Sequence, residues 1–128
     1  MTKQQIATGR APSPAGAYSQ GTVSNGMVFT AGLGPHDPAT GLVVGGTIEQ
    51  QTTQVLRNLQ AVLAEAGATF DDVVKVTAHL ERFDRDFAGF DAAYRVMMPE
   101  PRPVRTTVGS TLANILVEID VVAVLPHT

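Results

Sequence analysis

The chain has 128 residues, 44% of them apolar and 16% charged, and a net charge of −3. That length fits one domain, residues 1–128, with enough chain to bury a core without a covalent staple. With no cysteine, disulfides, thiolate metal sites and a cysteine nucleophile are excluded, and the acidic balance argues against nucleic acid as a partner.

The first third reads as β-structure. Ile6 to Thr8 is a short strand candidate before a turn cluster running from Gly9 to Gly16. Tyr18–Val23 and Met27–Ala31 flank Asn25-Gly26, two residues that accept positive φ, which predicts a hairpin. A second turn cluster runs from Gly34 to Gly41. Thr47 with Gln50 three residues later fits a capping box. Ile48, Thr52, Val55, Leu59, Val62, Leu63 and Ala66 then recur at helical spacing, and Gly67 is placed to end the helix in the left-handed conformation.

Val73–Leu80 alternates as a strand does, with Val74, Val76, Ala78 and Leu80 on one face and Val73, Lys75, Thr77 and His79 on the other. Asp84 is the expected N-cap of a second helix, along which Phe87, Phe90, Tyr94 and Met97 share a side. Pro99, Pro101 and Pro103 forbid its continuation. Arg105–Ser110 and Ile115–Leu125 read as the last two strands, and the length and β-branched content of the second predict a central position. No stretch approaches the roughly eighteen apolar residues of a membrane span, and no apolar region follows Met1–Gln5. The expectation is a cytoplasmic protein with no membrane partner.

This order predicts an α+β fold, a sheet with two amphipathic helices packed on one face. The other face remains rather apolar, and self-association is its simplest cover.

Few residues stand out chemically. Arg105 follows the rigid run Pro101-Arg102-Pro103-Val104, and a guanidinium fixed at a strand start can grip a carboxylate in a bidentate fork. An ordinary ion pair is the competing reading. Glu118 and Asp120 point to one face of an apolar strand, where a carboxylate either positions water and moves protons or lies on a solvated or interfacial face. Tyr18 offers a phenol to a ligand or simply packs. Gly32-Leu33-Gly34-Pro35 lacks the Lys-Ser/Thr and the helix of a phosphate loop, though its backbone N–H groups remain available to a carboxylate. His36, His79 and His127 share no metal-ligand spacing, and there is no serine-hydrolase elbow. Arg105 and Glu118 fall on the last two strands, read as adjacent, a pairing suited to a small carboxylate.

Several segments together resemble the RidA/YjgF family, the reactive intermediate (enamine/imine) deaminases. Ala11-Pro12 with Gly16-Ala17-Tyr18-Ser19-Gln20-Gly21 is similar to the family's opening segment. Thr30-Ala31-Gly32-Leu33-Gly34-Pro35 and Asp37-Pro38-Ala39-Thr40-Gly41 resemble two of its turns, and Gln54 to Gly67 one of its helices. Pro101–Val108 and Val117–Ala123 resemble its two closing signatures. The resemblance implies a chorismate-mutase-like fold and a homotrimer with sites in clefts between subunits. It implies hydrolysis of 2-imino acids, tautomers of 2-enamino acids, to 2-keto acids and ammonia, without metal or organic cofactor. By position, Arg105 would bind the substrate carboxylate and Glu118 orient the attacking water. Gly32 would contact ligand through its backbone beside Ala31, a substrate-binding position where a Ser is common. Tyr18 would line the cleft, and Thr107 occupies a site where many members have Cys. Asp91 stands where an Asn is usual, and Leu33 where a Gln is frequent.

Three other readings compete with a deaminase. One is a non-catalytic module binding a small carboxylate. Endoribonuclease activity, described for relatives, is disfavoured by the negative charge and by the five Phe and two Tyr that are the only aromatics. Isomerase chemistry suggested by the fold's name rests on the fold alone.

Overall fold

Turn chemistry and alternation build the first half of a six-stranded sheet. In the computed structural model, which describes residues 2–126, β1 (Gln4–Ile6), β2 (Gly21–Ser24) and β3 (Met27–Thr30) form an antiparallel meander. Asn25 and Gly26 turn the β2–β3 hairpin with φ of 52° and 74°, the primed geometry that matches strand twist. β1 lies two residues earlier than expected, and β2 starts at Gly21, not Tyr18. The residues before it, including Tyr18, form bends instead.

Helix α1 (Ile48–Glu65) starts at Thr47, whose hydroxyl accepts from Gln50 N–H while the Gln50 side chain returns to the N-cap backbone. It stops where expected, with Gly67 at φ 84°. Strand β4 (Val73–Leu80), helix α2 (Phe83–Met97), strand β5 (Val104–Gly109) and strand β6 (Val117–Val124) follow. Two expectations here need correction. Arg82, not Asp84, is the N-cap of α2, and it makes no side-chain cap bond; Asp84 and Asp86 sit inside the first turn, where their charge complements the helix dipole. Val74 is 45% exposed, because the β4–β6 register shifts between Val73 and Lys75 and rotates it out of the alternation.

The sheet order is β1-β2-β3-β6-β4-β5. Only β4 and β5 pair in parallel, with α2 as their crossover, so the sheet is mixed. β6 is central, as its composition predicts, and runs antiparallel to both β3 and β4. Val28, Val76, Ala78, Leu80, Val117, Ile119, Val121 and Ala123 are buried against the helices, together with Leu56, Leu59, Leu63 and Phe90. Each large side chain so buried contributes about 1.5–3 kcal/mol.

The opposite face has no such cover. Its cross-strand rows are Phe29–Val122–Lys75–Val104, then Asp120–Thr77–Thr106, then Glu118–His79–Val108. Phe29, Val104 and Val108 on it are exposed. No helix among the described residues is long and apolar enough to cross a membrane.

Candidate active site

Beside this open face, a cavity of about 620 Å³ is walled by the 12–15 segment, the 32–41 turns and the start of β6. Two buried amides fix its walls. The Gln20 side chain accepts from Thr8 N–H at 2.7 Å and donates to the carbonyls of Thr8, Ala11 and Pro12, which closes the N-terminal segment over the site. Asn58 on α1 donates to the carbonyls of Gly34 and His36 at 3.0 and 2.9 Å. Both are nearly free of solvent contact, where an amide must have its partners.

Glu118 lies on the cavity floor. Its Oε2 sits 2.6 Å from where a Cβ on Gly32 would be, so a side chain at 32 would have to displace this carboxylate. Glu118 makes no hydrogen bond or ion pair with the chain among the described residues. Tyr18 lines the same cavity, is 50% exposed, and accepts from Ala15 N–H through its phenol oxygen at 3.0 Å. Ala31 precedes Gly32 and commits its N–H to the Gln20 carbonyl. Asp120, one row further along the open face, is pushed above its usual range by burial, with His79 and Lys75 opposing. His79 Nδ1 lies 2.7 Å from Ser110 Oγ.

Arg105 belongs to a second cavity, about 280 Å³, whose other charged walls are Asp91, Arg95 and Arg102. Its side chain is 19% exposed and donates from one terminal nitrogen to Asp91 Oδ1 at 2.9 Å. The guanidinium lies 4.6, 5.1 and 5.7 Å from the ring centres of Tyr94, Phe90 and Phe87, within cation–π range. Arg95 holds the other Asp91 oxygen at 3.0 Å. The Arg105 hydrogen bond, more than the opposing burial, keeps Asp91 below the usual carboxylate range. The buried Tyr94 hydroxyl has no partner among the described residues, and burial raises its pKa. Thr107 shares the Arg105 face, two residues on, beside buried Ala78.

Within one chain the two groups are kept apart. β5 and β6 are not adjacent; β4 lies between them. Arg105 aligns with Val76 and Val121 on the helix side, and Glu118, three residues along β6, points to the open side. Three residues along and two strands across separate the α-carbons by roughly 14 Å. Glu118, Gly32 and Tyr18 meet at one cavity; Arg105 and Thr107 do not reach it.

Sequence reasoning missed the wall residues Gln20 and Asn58 and the place of His36. A signal existed for Asn58: with Gln51, also buried and bonded to the Gly45 carbonyl and Leu116 N–H, it puts polar residues seven apart on the apolar stripe of α1. Among the described residues, no three His, Cys, Asp or Glu side chains gather as for a metal; His127 lies outside them.

The family model for endoribonuclease L-PSP matches residues 8–125. A RutC family protein of Synechocystis is 45% identical over 130 residues, covering 98% of this chain and 99% of the relative. The chloroplastic Reactive Intermediate Deaminase A of Arabidopsis thaliana is 36% identical over 127 residues, covering 98% of this chain and 67% of the relative. Escherichia coli TdcF, solved with bound serine, superposes with a TM-score of 0.89 at 30% identity, over 96% of this chain and 99% of that one. The sheet order, the two helices on one face and these likenesses agree, and the chain belongs to the endoribonuclease L-PSP family, also called YjgF/RidA.

Proposed function

We propose that this protein hydrolyses 2-imino acids to 2-keto acids and ammonia in a cleft shared by two copies of the chain, assembled as a homotrimer. One observation carries the reading: a Glu118 carboxylate, unpaired among the described residues, packed on a glycine floor of an open cavity. A carboxylate so placed is positioned to accept a proton from water. The likeness to a protein named Reactive Intermediate Deaminase A supports the same chemistry.

An imine carbon is already electrophilic, so the protein needs only to hold the substrate, place a water and move protons. Arg105 grips the substrate carboxylate with the N–H donors Asp91 leaves free. Glu118 takes the proton of the attacking water. The Gly32 backbone and Tyr18 border the substrate, with Ala31 behind Gly32 and Thr107 entering on the same copy as Arg105. Since Arg105 and Glu118 lie far apart on opposite faces of one sheet, a small imino acid touches both only if a second copy brings its Arg105 edge to this cavity. The apolar open face favours that association. Orientation of this kind supplies several kcal/mol of barrier lowering.

The test generates 2-imino acids in situ from several amino acids and follows imine loss. Wild type accelerates the loss, and Arg105→Ala and Glu118→Gln each reduce kcat/KM at least about a hundredfold. Folded wild type that accelerates no imine sinks the proposal. In that event the bound serine of the TdcF structure favours the second reading, a small-carboxylate binding module, and keto acids would bind without turnover. RNA cleavage is the weaker alternative, since the Glu118 carboxylate in the cavity repels phosphate.

A further inference from the structure

We infer that His36 is a second proton-transfer group of this site, the acid that protonates the departing nitrogen; the inference rests on the deaminase reading above. Leu33 forms a β-bridge with Ile119, its N–H donating at 2.9 Å and its carbonyl accepting at 3.1 Å. The Leu33 side chain goes into the core, so positions 32 and 34 face the other way. Both are glycine. Over Gly32 stands the Glu118 carboxylate. Over Gly34 stands the His36 imidazole, with Cε1 and Nδ1 2.7 and 2.8 Å from where a Cβ would be. A side chain at 34 would push the ring out of this position.

Two residues of extended chain span about 6.6 Å, and His36 and Glu118 both line the cavity. They form no ion pair among the described residues. A carboxylate and an imidazole thus stand on the same side of one extended segment and border the same cavity. The ring is held by its backbone: Asn58 binds the His36 carbonyl, and His36 bridges to Val43. One oxygen of the adjacent Asp37 carboxylate, Oδ1, accepts from the N–H groups of Ala39 and Thr40. The imidazole nitrogens make no hydrogen bond with the chain among the described residues. Of the charged groups on the open face, Glu118 shares the cavity with His36, while His79, Asp120 and Lys75 stand on or beyond the β6 rows.

Imine hydrolysis needs protons at two places. In the addition step the water oxygen bonds C2 and gives a proton to Glu118, while the nitrogen takes the C=N electron pair and a proton from the His36 imidazolium. The proton then passes from Glu118 to His36 through solvent. In the collapse step the imidazolium gives a second proton to nitrogen, the C–N bond breaks with its electron pair on departing ammonia, and the hydroxyl proton goes to Glu118 as C=O forms. Imidazole suits this role because it both holds and releases protons near neutral pH.

The test compares wild type with His36→Gln and His36→Asn on in situ imines of alanine, leucine and phenylalanine from pH 6 to 9. The expected result is a kcat about a hundredfold lower with KM within about threefold, and loss of the fall in rate at high pH that an acid must show. A second readout needs no turnover: the His36 ¹⁵N imidazole resonances of wild type, assigned by their loss in His36→Gln, titrate differently when pyruvate is added. Folded variants with unchanged kcat and coincident pH profiles overturn the role of His36 alone and leave the deaminase reading standing. Wild type inactive on every imine removes both.

Discussion

On the covered side of the sheet, Arg105 already has its partners: Asp91 at 2.9 Å, and the faces of Tyr94, Phe90 and Phe87. On the open side, Glu118 has none among the described residues, only the bare backbone of Gly32 beneath it. One half of the proposed site is locked before substrate arrives and the other is left reactive. The difference teaches that a cation is cheaply kept in place by aromatic faces and one carboxylate, whereas a proton acceptor must stay unpaired to be useful.

The sharpest way to break this comparison is to separate the halves onto different chains. Arg105→Ala and Glu118→Gln homo-oligomers should each be inactive. Co-expressed at equal levels, they should recover up to about a quarter of wild-type activity, since in a random cyclic assembly one shared cleft in four joins an intact Arg105 to an intact Glu118. If imine hydrolysis stays at the level of the single variants in the mixture, the site is not shared.

The next effect falls on the open face itself. Val104 is 67% exposed and ends the row Phe29–Val122–Lys75–Val104. Val104→Glu puts a charge at the edge of this apolar patch and should weaken association at least about tenfold, through desolvation of the new carboxylate. Sedimentation measures it, and imine hydrolysis should fall with the assembly. A variant that sediments like wild type would show that this row is not the interface.

The same two regions explain what the sequence made legible. The capping box at Thr47, the Asn25-Gly26 hairpin and the α1 stop at Gly67 are local chemistry, and each appears where its residues lie. The centrality of β6 was legible in its own length and β-branched content. Long-range pairing was not legible: nothing local in Val104–Gly109 says that it runs parallel to β4, so Arg105 and Glu118 looked adjacent when they are two strands apart. The register shift after Val73 and the uncapped start of α2 at Arg82 are likewise set by packing, which overrides propensity. Of the candidate site, Glu118, Gly32 and Tyr18 line one cavity, a grouping that the family resemblance implied and that residue type and spacing alone did not. Asn58 and His36 hid, one in a helix stripe and one in a turn, because their neighbours come from elements distant in sequence.

Asp91 tests how much the locked half depends on its lock. Asp91→Ala should raise KM several-fold with less change in kcat, because Arg105 keeps its charge but loses its orientation. Asp91→Asn should restore much of the KM by keeping a hydrogen bond to Arg105. The carboxylate also carries a pH signature. Its folded pKa is depressed, chiefly by Arg105, so its stabilising contribution is present above the unfolded carboxylate value and is lost as pH falls through the folded one. The urea midpoint of wild type should exceed that of Asp91→Asn at neutral pH, and the gap should close in acid. A constant gap would mean the ion pair adds nothing beyond a neutral hydrogen bond.

Asp120 is the open-face counterpart, and its sign is reversed. Burial raises its folded pKa above the ordinary 3.8, so the charged form costs stability at neutral pH, and the cost disappears as pH falls through the raised value toward the unfolded one. Asp120→Asn should therefore raise Tm, by up to about 3 °C at pH 7, with the advantage shrinking to nothing near the unfolded carboxylate pKa. Association adds a further discriminator. If a second copy covers this face, Asp120 is desolvated more than in the isolated chain, and the gain should be larger in the assembled protein than in a Val104→Glu background that no longer assembles. Equal gains in both would mean that whatever joins the subunits leaves Asp120 in water, and that the covered surface lies elsewhere on the sheet.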